Sequence, residues 1–289
     1  MTFDEAMTAV LKALEEARFA EGIVLLDRAE TLAGDDAEHA LVQMQRAAIP
    51  LLQNNFNSDL NVFRENLVRR HSRRHVWIVL YYLTIAAIDR NDRESADRYL
   101  PQFLEITREM DEPDRTVRSF DVLAAVESLR GNHVAAIEYN KAALAESERL
   151  EGPGAESTRA FIAHNLVYNC LAANEYREAL VHTPGMIEMA EKLRHEILLR
   201  QGRVTAAFAY LVNNMLDEAE TLAIRAAEVA IGTRLERYVH YVRGEVARRR
   251  GNRAEAAAHF RKLEPLYPDI PGVAEMLLSM NVAEFLVPE

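Results

Sequence analysis

A chain of 289 residues with 49% hydrophobic content can bury one or two compact cores, or one core spread along an axis, and composition alone does not choose between them. The 45 acidic against 34 basic residues give a formal charge of −11, which opposes general affinity for phosphate backbones and anionic membranes, so neither nucleic acid nor membrane is an expected partner. One cysteine, Cys170, excludes an internal disulfide, and the charged stretch from Met1 to Met7 lacks the basic region of an export signal, so a cytoplasmic protein is expected.

Apolar residues recur at helical spacing along the whole chain. In order, the pattern predicts helix pairs at about 3–33, 36–71, 75–110, 113–149, 155–192, 194–231 and 234–267, then a closing amphipathic helix at 272–286 with Val273, Met276, Leu277, Met280 and Phe285 on its apolar stripe. Aligning one position early in each second helix gives Gly22, Asp59, Ala96, Ala136, Ala179, Ala219 and Ala256, separated by 37, 37, 40, 43, 40 and 37 residues. Twelve residues before each stand Val10, Ala47, Thr84, Ala124, Val167, Ala207 and Gly244, all small or β-branched. Antiparallel helices need small side chains where their axes approach most closely, so these are the expected crossing points. Asp59 departs from the pattern and leaves the register of the second pair open.

The predicted turns carry Asn54-Asn55, Arg90-Asn91, Gly131-Asn132, Asn174, Asn213-Asn214 and Gly251-Asn252. Gly and Asn tolerate the left-handed backbone that stops a helix, and Asn can cap the next one. Pro50, Pro101 and Pro184 fall inside predicted helices, where each is expected to bend or break its helix, most clearly at Thr183-Pro184-Gly185. The apolar run from Trp77 to Leu83 reads as a helix with neighbours on several sides. Arg69 to His75 and Arg248 to Arg253 are basic clusters read as solvated surface, the second complementing a helix C-terminus. His71 and His75 have helical metal-pair spacing without an evident third ligand, so no metal or cofactor is expected.

The last copy, Gly251-Asn252-Arg253-Ala254-Glu255-Ala256-Ala257-Ala258-His259-Phe260 with Gly244 before it and Pro268 after it, resembles the tetratricopeptide repeat (TPR). The resemblance covers roughly residues 3–268. It implies an all-α fold: a right-handed α-α superhelix of about seven helical hairpins plus a C-terminal capping helix, forming one domain over 1–289. Several copies exceed the usual repeat length and look more like those of kinesin light chains and bacterial peptide-pheromone receptors.

The resemblance further implies that the first helix of each pair lines a concave face. Mapped onto this chain, that face would hold Tyr81, Arg118, Phe161, His164, Asn165, Tyr168, Gln201, Phe208, Tyr238 and Tyr241. These residues either form an aromatic groove for an extended or helical peptide, or pack against one another in a tightly wound array. The sequence carries no zinc-protease motif, phosphate loop, nucleophile elbow or paired-cysteine signature. The implied function is a non-catalytic protein- or peptide-binding scaffold or adaptor. The alternative is a regulatory sensor array of a bacterial signalling system that binds a peptide or small ligand. Oligomeric state is open, with a homodimer through the C-terminal helix as one outcome.

Overall fold

The computed structural model describes every residue except 54, 56, 57, 111, 231, 234 and 280–289. The described residues form fifteen α-helices and no strand. They are α1 (Phe3–Glu15), α2 (Phe19–Glu30), α3 (Asp36–Leu52), α4 (Asn61–Arg69), α5 (Arg73–Asp89), α6 (Arg93–Met110), α7 (Pro113–Leu129) and α8 (His133–Ser147). The series continues with α9 (Pro153–Ala172), α10 (Tyr176–Leu193), α11 (Glu196–Val212), α12 (Leu216–Ala230), α13 (Glu236–Arg249), α14 (Arg253–Arg261) and α15 (Val273–Ser279). Packing is between hairpin partners, such as α7 with α8 and α11 with α12, and between successive first helices, as in α3 with α5 and α11 with α13.

The chain divides into two compact units, Met1–Ile162 and Ala163–Glu289, with the boundary inside α9. In the third and later hairpins the crossing points are where the sequence pattern places them. Ala96, Ala136, Ala179, Ala219 and Ala256 have no solvent exposure, and each stands three residues into its helix. Their counterparts Thr84, Ala124, Val167 and Ala207 are equally buried. A larger side chain there would push the helix axes apart and expose the apolar stripes that the pair hides. The last hairpin makes the closest approach: a Cβ on Gly244 would stand 2.4 Å from Phe260 Cε1.

The second hairpin breaks the pattern. Asp59 lies before α4, not within it, and its carboxylate accepts a hydrogen bond from the Asn61 backbone N–H at 2.9 Å. The α4 helix is nine residues long and buries Phe63 and Asn66, and the position three residues after its start, alanine in the later pairs, is exposed Arg64.

Six hairpin turns close in one way. At Ala17, Asn91, Gly131, Asn174, Asn214 and Gly251 the backbone enters the left-handed region, with φ between 54° and 83°. The N–H of that residue donates to a carbonyl three residues back, and the next N–H to one five back, as in Asn91 to Ile88 and Asp92 to Ala87. This double bond set satisfies carbonyls that the helix end leaves unpaired. The helix starts are satisfied by side chains: Thr2 and Glu5 form a reciprocal capping box on α1, and Asp35, Ser72 and Asn252 cap α3, α5 and α14.

The prolines do not break their helices: α3, α6 and α10 run through Pro50, Pro101 and Pro184. Pro101, Pro184 and Gly185 face solvent, where water can serve the carbonyl that each missing N–H leaves free. The closing helix is α15, with Val273, Ala274 and Leu277 buried and packed with α14, while Met276 is exposed. The rest of the predicted closing segment, including Met280 and Phe285, lies outside the described residues.

Candidate functional site

In the unit Met1–Ile162, side chains from first helices meet around the α5 rings. Trp77 and Tyr81, one helical turn apart, stack with centroids 5.4 Å apart and planes 4° from parallel. Tyr82 meets Tyr81 edge-on at 5.3 Å, and its hydroxyl donates to Gln45 Oε1 on α3 at 3.4 Å. Two arginines of α7 cover the stack: the Arg115 guanidinium is 4.7 Å from the Trp77 ring and that of Arg118 is 5.8 Å from Tyr81.

Arg118 is itself held by Asp114, at 3.3 Å, and by Glu15 at the end of α1, at 3.5 Å. Burial raises the Glu15 carboxyl above the usual carboxylate range, and Arg118 opposes the rise. The same end of α1 is tied to α9. Ser157 Oγ donates to the Glu15 carbonyl at 3.2 Å, and a Cβ on Gly154 would stand 2.2 Å from Glu15 Oε2. Tyr81 and Arg118 are half-buried, so each keeps a solvent-facing side. Phe161, on the part of α9 in this unit, is also half-buried.

In the unit Ala163–Glu289, the expected groove residues separate into two sets. His164, Asn165, Tyr168 and Gln201 are half-buried on α9 and α11. His164 Nε2 is hydrogen-bonded to Thr205 Oγ1 at 3.1 Å, and burial holds the imidazole pKa below its ordinary value, which keeps it neutral near pH 7. Phe208, Tyr238 and Tyr241 are buried, at 2%, 2% and 0% exposure. Phe208 stacks on Tyr241 at 5.6 Å and 10°, meets Tyr238 edge-on at 5.9 Å, and Tyr241 continues to Phe260 at 6.3 Å. These rings fill the space between α11, α13 and α14, so they act as packing for the half-exposed set.

Glu245 stands at an inward position in the same count that gives Tyr238 and Tyr241, and the structure buries it completely. Glu245 has no exposure and receives Arg248 at 2.7 Å through two nitrogens and Arg249 at 2.8 Å. Arg249 also donates to the Leu211 carbonyl at the end of α11, at 2.7 Å. Arg250 pairs with Asp217 and Glu220 of α12. Three arginines of the cluster read as solvated surface, Arg248, Arg249 and Arg250, are therefore paired with acids and brace α13 to its neighbours, while Arg253 is exposed. The i, i+3 and i, i+4 spacing of Glu245 to two arginines was the available signal. At the other cluster, His75 spends its ring nitrogens on Ser72 Oγ and the Ala37 carbonyl, at 2.6 and 2.8 Å. No group of three metal-ligating side chains occurs among the described residues.

No family model matches the sequence, and no curated protein matches it. Solved structures do. A Rap protein complexed with competence and sporulation factor is similar over 98% of this chain and 91% of its own, with a TM-score of 0.66 at 15% identity. The apo form of RapI is similar over 96% of this chain and 82% of its own, with a TM-score of 0.64 at 12% identity. A signal-transduction ATPase with a tetratricopeptide repeat sensor from Pyrococcus horikoshii covers 100% of this chain with 45% of its own length, at a TM-score of 0.69 and 14% identity. The chain thus has the all-α, TPR-like helical repeat fold of these proteins.

Proposed function

We propose that this protein is a non-catalytic, peptide- or protein-binding member of the TPR-like repeats and works in the cytoplasm as a scaffold or adaptor. The carrying observation is the face built by first helices in the unit Met1–Ile162, where half-buried Tyr81 and Arg118 lie over buried Trp77 and Arg115 and Glu15 completes the charged rim. Flat rings give a peptide side chain apolar area at small entropic cost, and the fixed charges set its register. A second set, His164, Asn165, Tyr168 and Gln201, offers donors and acceptors suited to a peptide backbone. The likeness to a Rap protein crystallised with competence and sporulation factor supports a peptide as the ligand class. A sensor array is the second reading, favoured by the likeness to a protein whose TPR portion is described as a sensor.

The test is selection of binders from a displayed random-peptide library, followed by calorimetric titration of the winners. Tyr81→Ala with Arg118→Ala should weaken a selected peptide by about a hundredfold, as expected when two anchors of a binding face are removed. A library that yields no peptide sensitive to either this pair or to Tyr168→Ala would overturn the proposal.

A further inference from the structure

The two arginine clusters of this acidic chain have opposite fates. Arg248, Arg249 and Arg250 are consumed by Glu245, Asp217 and Glu220. Around the turn from α4 to α5, four arginines fall within six residues, 69–74, and only two have acidic partners. Arg69 reaches Glu65 at 4.0 Å and Arg73 reaches Glu109 at 3.4 Å, both pairs well exposed, while Arg70 and Arg74 are exposed and make no ion pair among the described residues. Close by in the chain Val68 is 83% exposed, the most exposed of the large apolar side chains among the described residues.

The fold does not account for this cluster. Cations suit a helix C-terminus, which explains Arg69 on α4 and the charge, though not the backbone, of its C-cap Arg70. Arg73 and Arg74 instead occupy the first turn of α5, where the helix dipole disfavours positive charge, and no acid accompanies them there. Arg70 holds a left-handed backbone, φ 50° and ψ 50°, which glycine or asparagine would adopt at lower cost. The charge of Arg74 and the backbone of Arg70 each cost local stability while keeping an exposed positive charge.

We propose that the α4–α5 turn is a docking surface for an acidic segment of another protein, with Arg70 and Arg74 taking its carboxylates and Val68 an apolar side chain beside them. This surface is separate from the concave site and does not rest on it. A protein segment fits better than a nucleic acid. The chain's charge of −11 repels a long polyanion, whereas a short acidic segment feels the local patch, and a protruding valine offers nothing to a phosphate backbone. Arg–carboxylate pairs also supply the directed hydrogen bonds that fix a docked helix or strand.

The probe is a fluorescein-labelled peptide of repeating Glu-Glu-Leu-Leu, read by anisotropy on the full chain at about 0.15 M salt. The wild type should bind it, with affinity falling as salt rises. R70E/R74E should weaken binding at least about tenfold, R70K/R74K should retain most of it, and Val68→Ser should weaken it severalfold. The melting temperature of R70E/R74E should stay level, because a glutamate in the first turn of α5 suits the dipole while one at the exposed C-cap of α4 opposes it by a similar small amount. No binding by the wild type, binding indifferent to R70E/R74E, or duplex DNA of equal charge binding more tightly than the peptide would each overturn the proposal. So would a clear drop in melting temperature, which would make the arginines structural, or a wild-type chain that dimerises through this turn in light scattering.

Discussion

The residues under most tension are those whose local cost is visible in the backbone or in an unanswered polar atom. Ala17 closes the first hairpin at φ 54°, where the equivalent turns use Asn or Gly. Its Cβ is penalised in that region, so Ala17→Gly should raise stability by roughly 0.5–1 kcal/mol in a urea melt. His259 is a second case. It is 7% exposed, its Nδ1 has no partner, and its ring lies 5.9 Å from that of His240. Burial first, then Arg243, Lys262 and His240, push its pKa down to about 4, with Glu220 opposing. His240 shifts the same way, through burial and Lys262, against Glu236. The unfolded chain binds these protons near pH 6.5 and the folded chain does not, so stability is full above pH 6.5 and is lost as the pH falls toward about 4. The loss attributable to His259 should be on the order of 1–3 kcal/mol, and His259→Gln should flatten that limb of the stability–pH curve.

At the scale of helix pairs, stability rests on how closely two axes approach. Gly244 and Phe260 show the limiting case: an added methyl would stand 2.4 Å from the ring, so the ring or the helix must move. Gly244→Ala should therefore cost about 1–3 kcal/mol, and in the Phe260→Leu background the same change should cost distinctly less, a coupling that a double-mutant cycle measures. The crossing positions were legible in the sequence because close approach imposes one requirement, a small side chain, that no other contact relaxes. The turns were legible for a similar reason, since left-handed backbone selects Gly and Asn. Asp59 was misplaced because α4 begins only at Asn61, and a fixed repeat spacing carried the register into the preceding loop. The helices that run through Pro50, Pro101 and Pro184 were read as bent or broken, and they are not broken, because a proline's cost depends on which side of the helix meets water, and a residue list does not hold that information.

Across the whole molecule, inward position and availability to a ligand are different properties. Both Tyr168 and Phe208 were assigned to the inner face by the same counting rule, yet Tyr168 is half-buried and Phe208 is 2% exposed. The difference lies in how closely α11 and α13 approach. Phe208 and Tyr241 stack at 5.6 Å, a distance between two helices that no periodicity within either one encodes. The burial of Glu245, also an inward position, was not legible for the same reason, since its partner Arg249 is held from α11 by the Leu211 carbonyl. The two classes of residue make opposite predictions. Phe208→Ala should lower stability by about 3–5 kcal/mol, because it removes a ring from a filled space and leaves a cavity beside Tyr238 and Tyr241. Tyr168→Ala with Gln201→Ala should change stability far less, and should weaken a peptide selected on the wild type by roughly tenfold or more. Chemical denaturation and titration of the same preparations separate the two. A Phe208→Ala protein as stable as the wild type would mean that the ring faces an open groove, and a Tyr168→Ala, Gln201→Ala protein that binds every selected peptide normally would remove this set from the binding face.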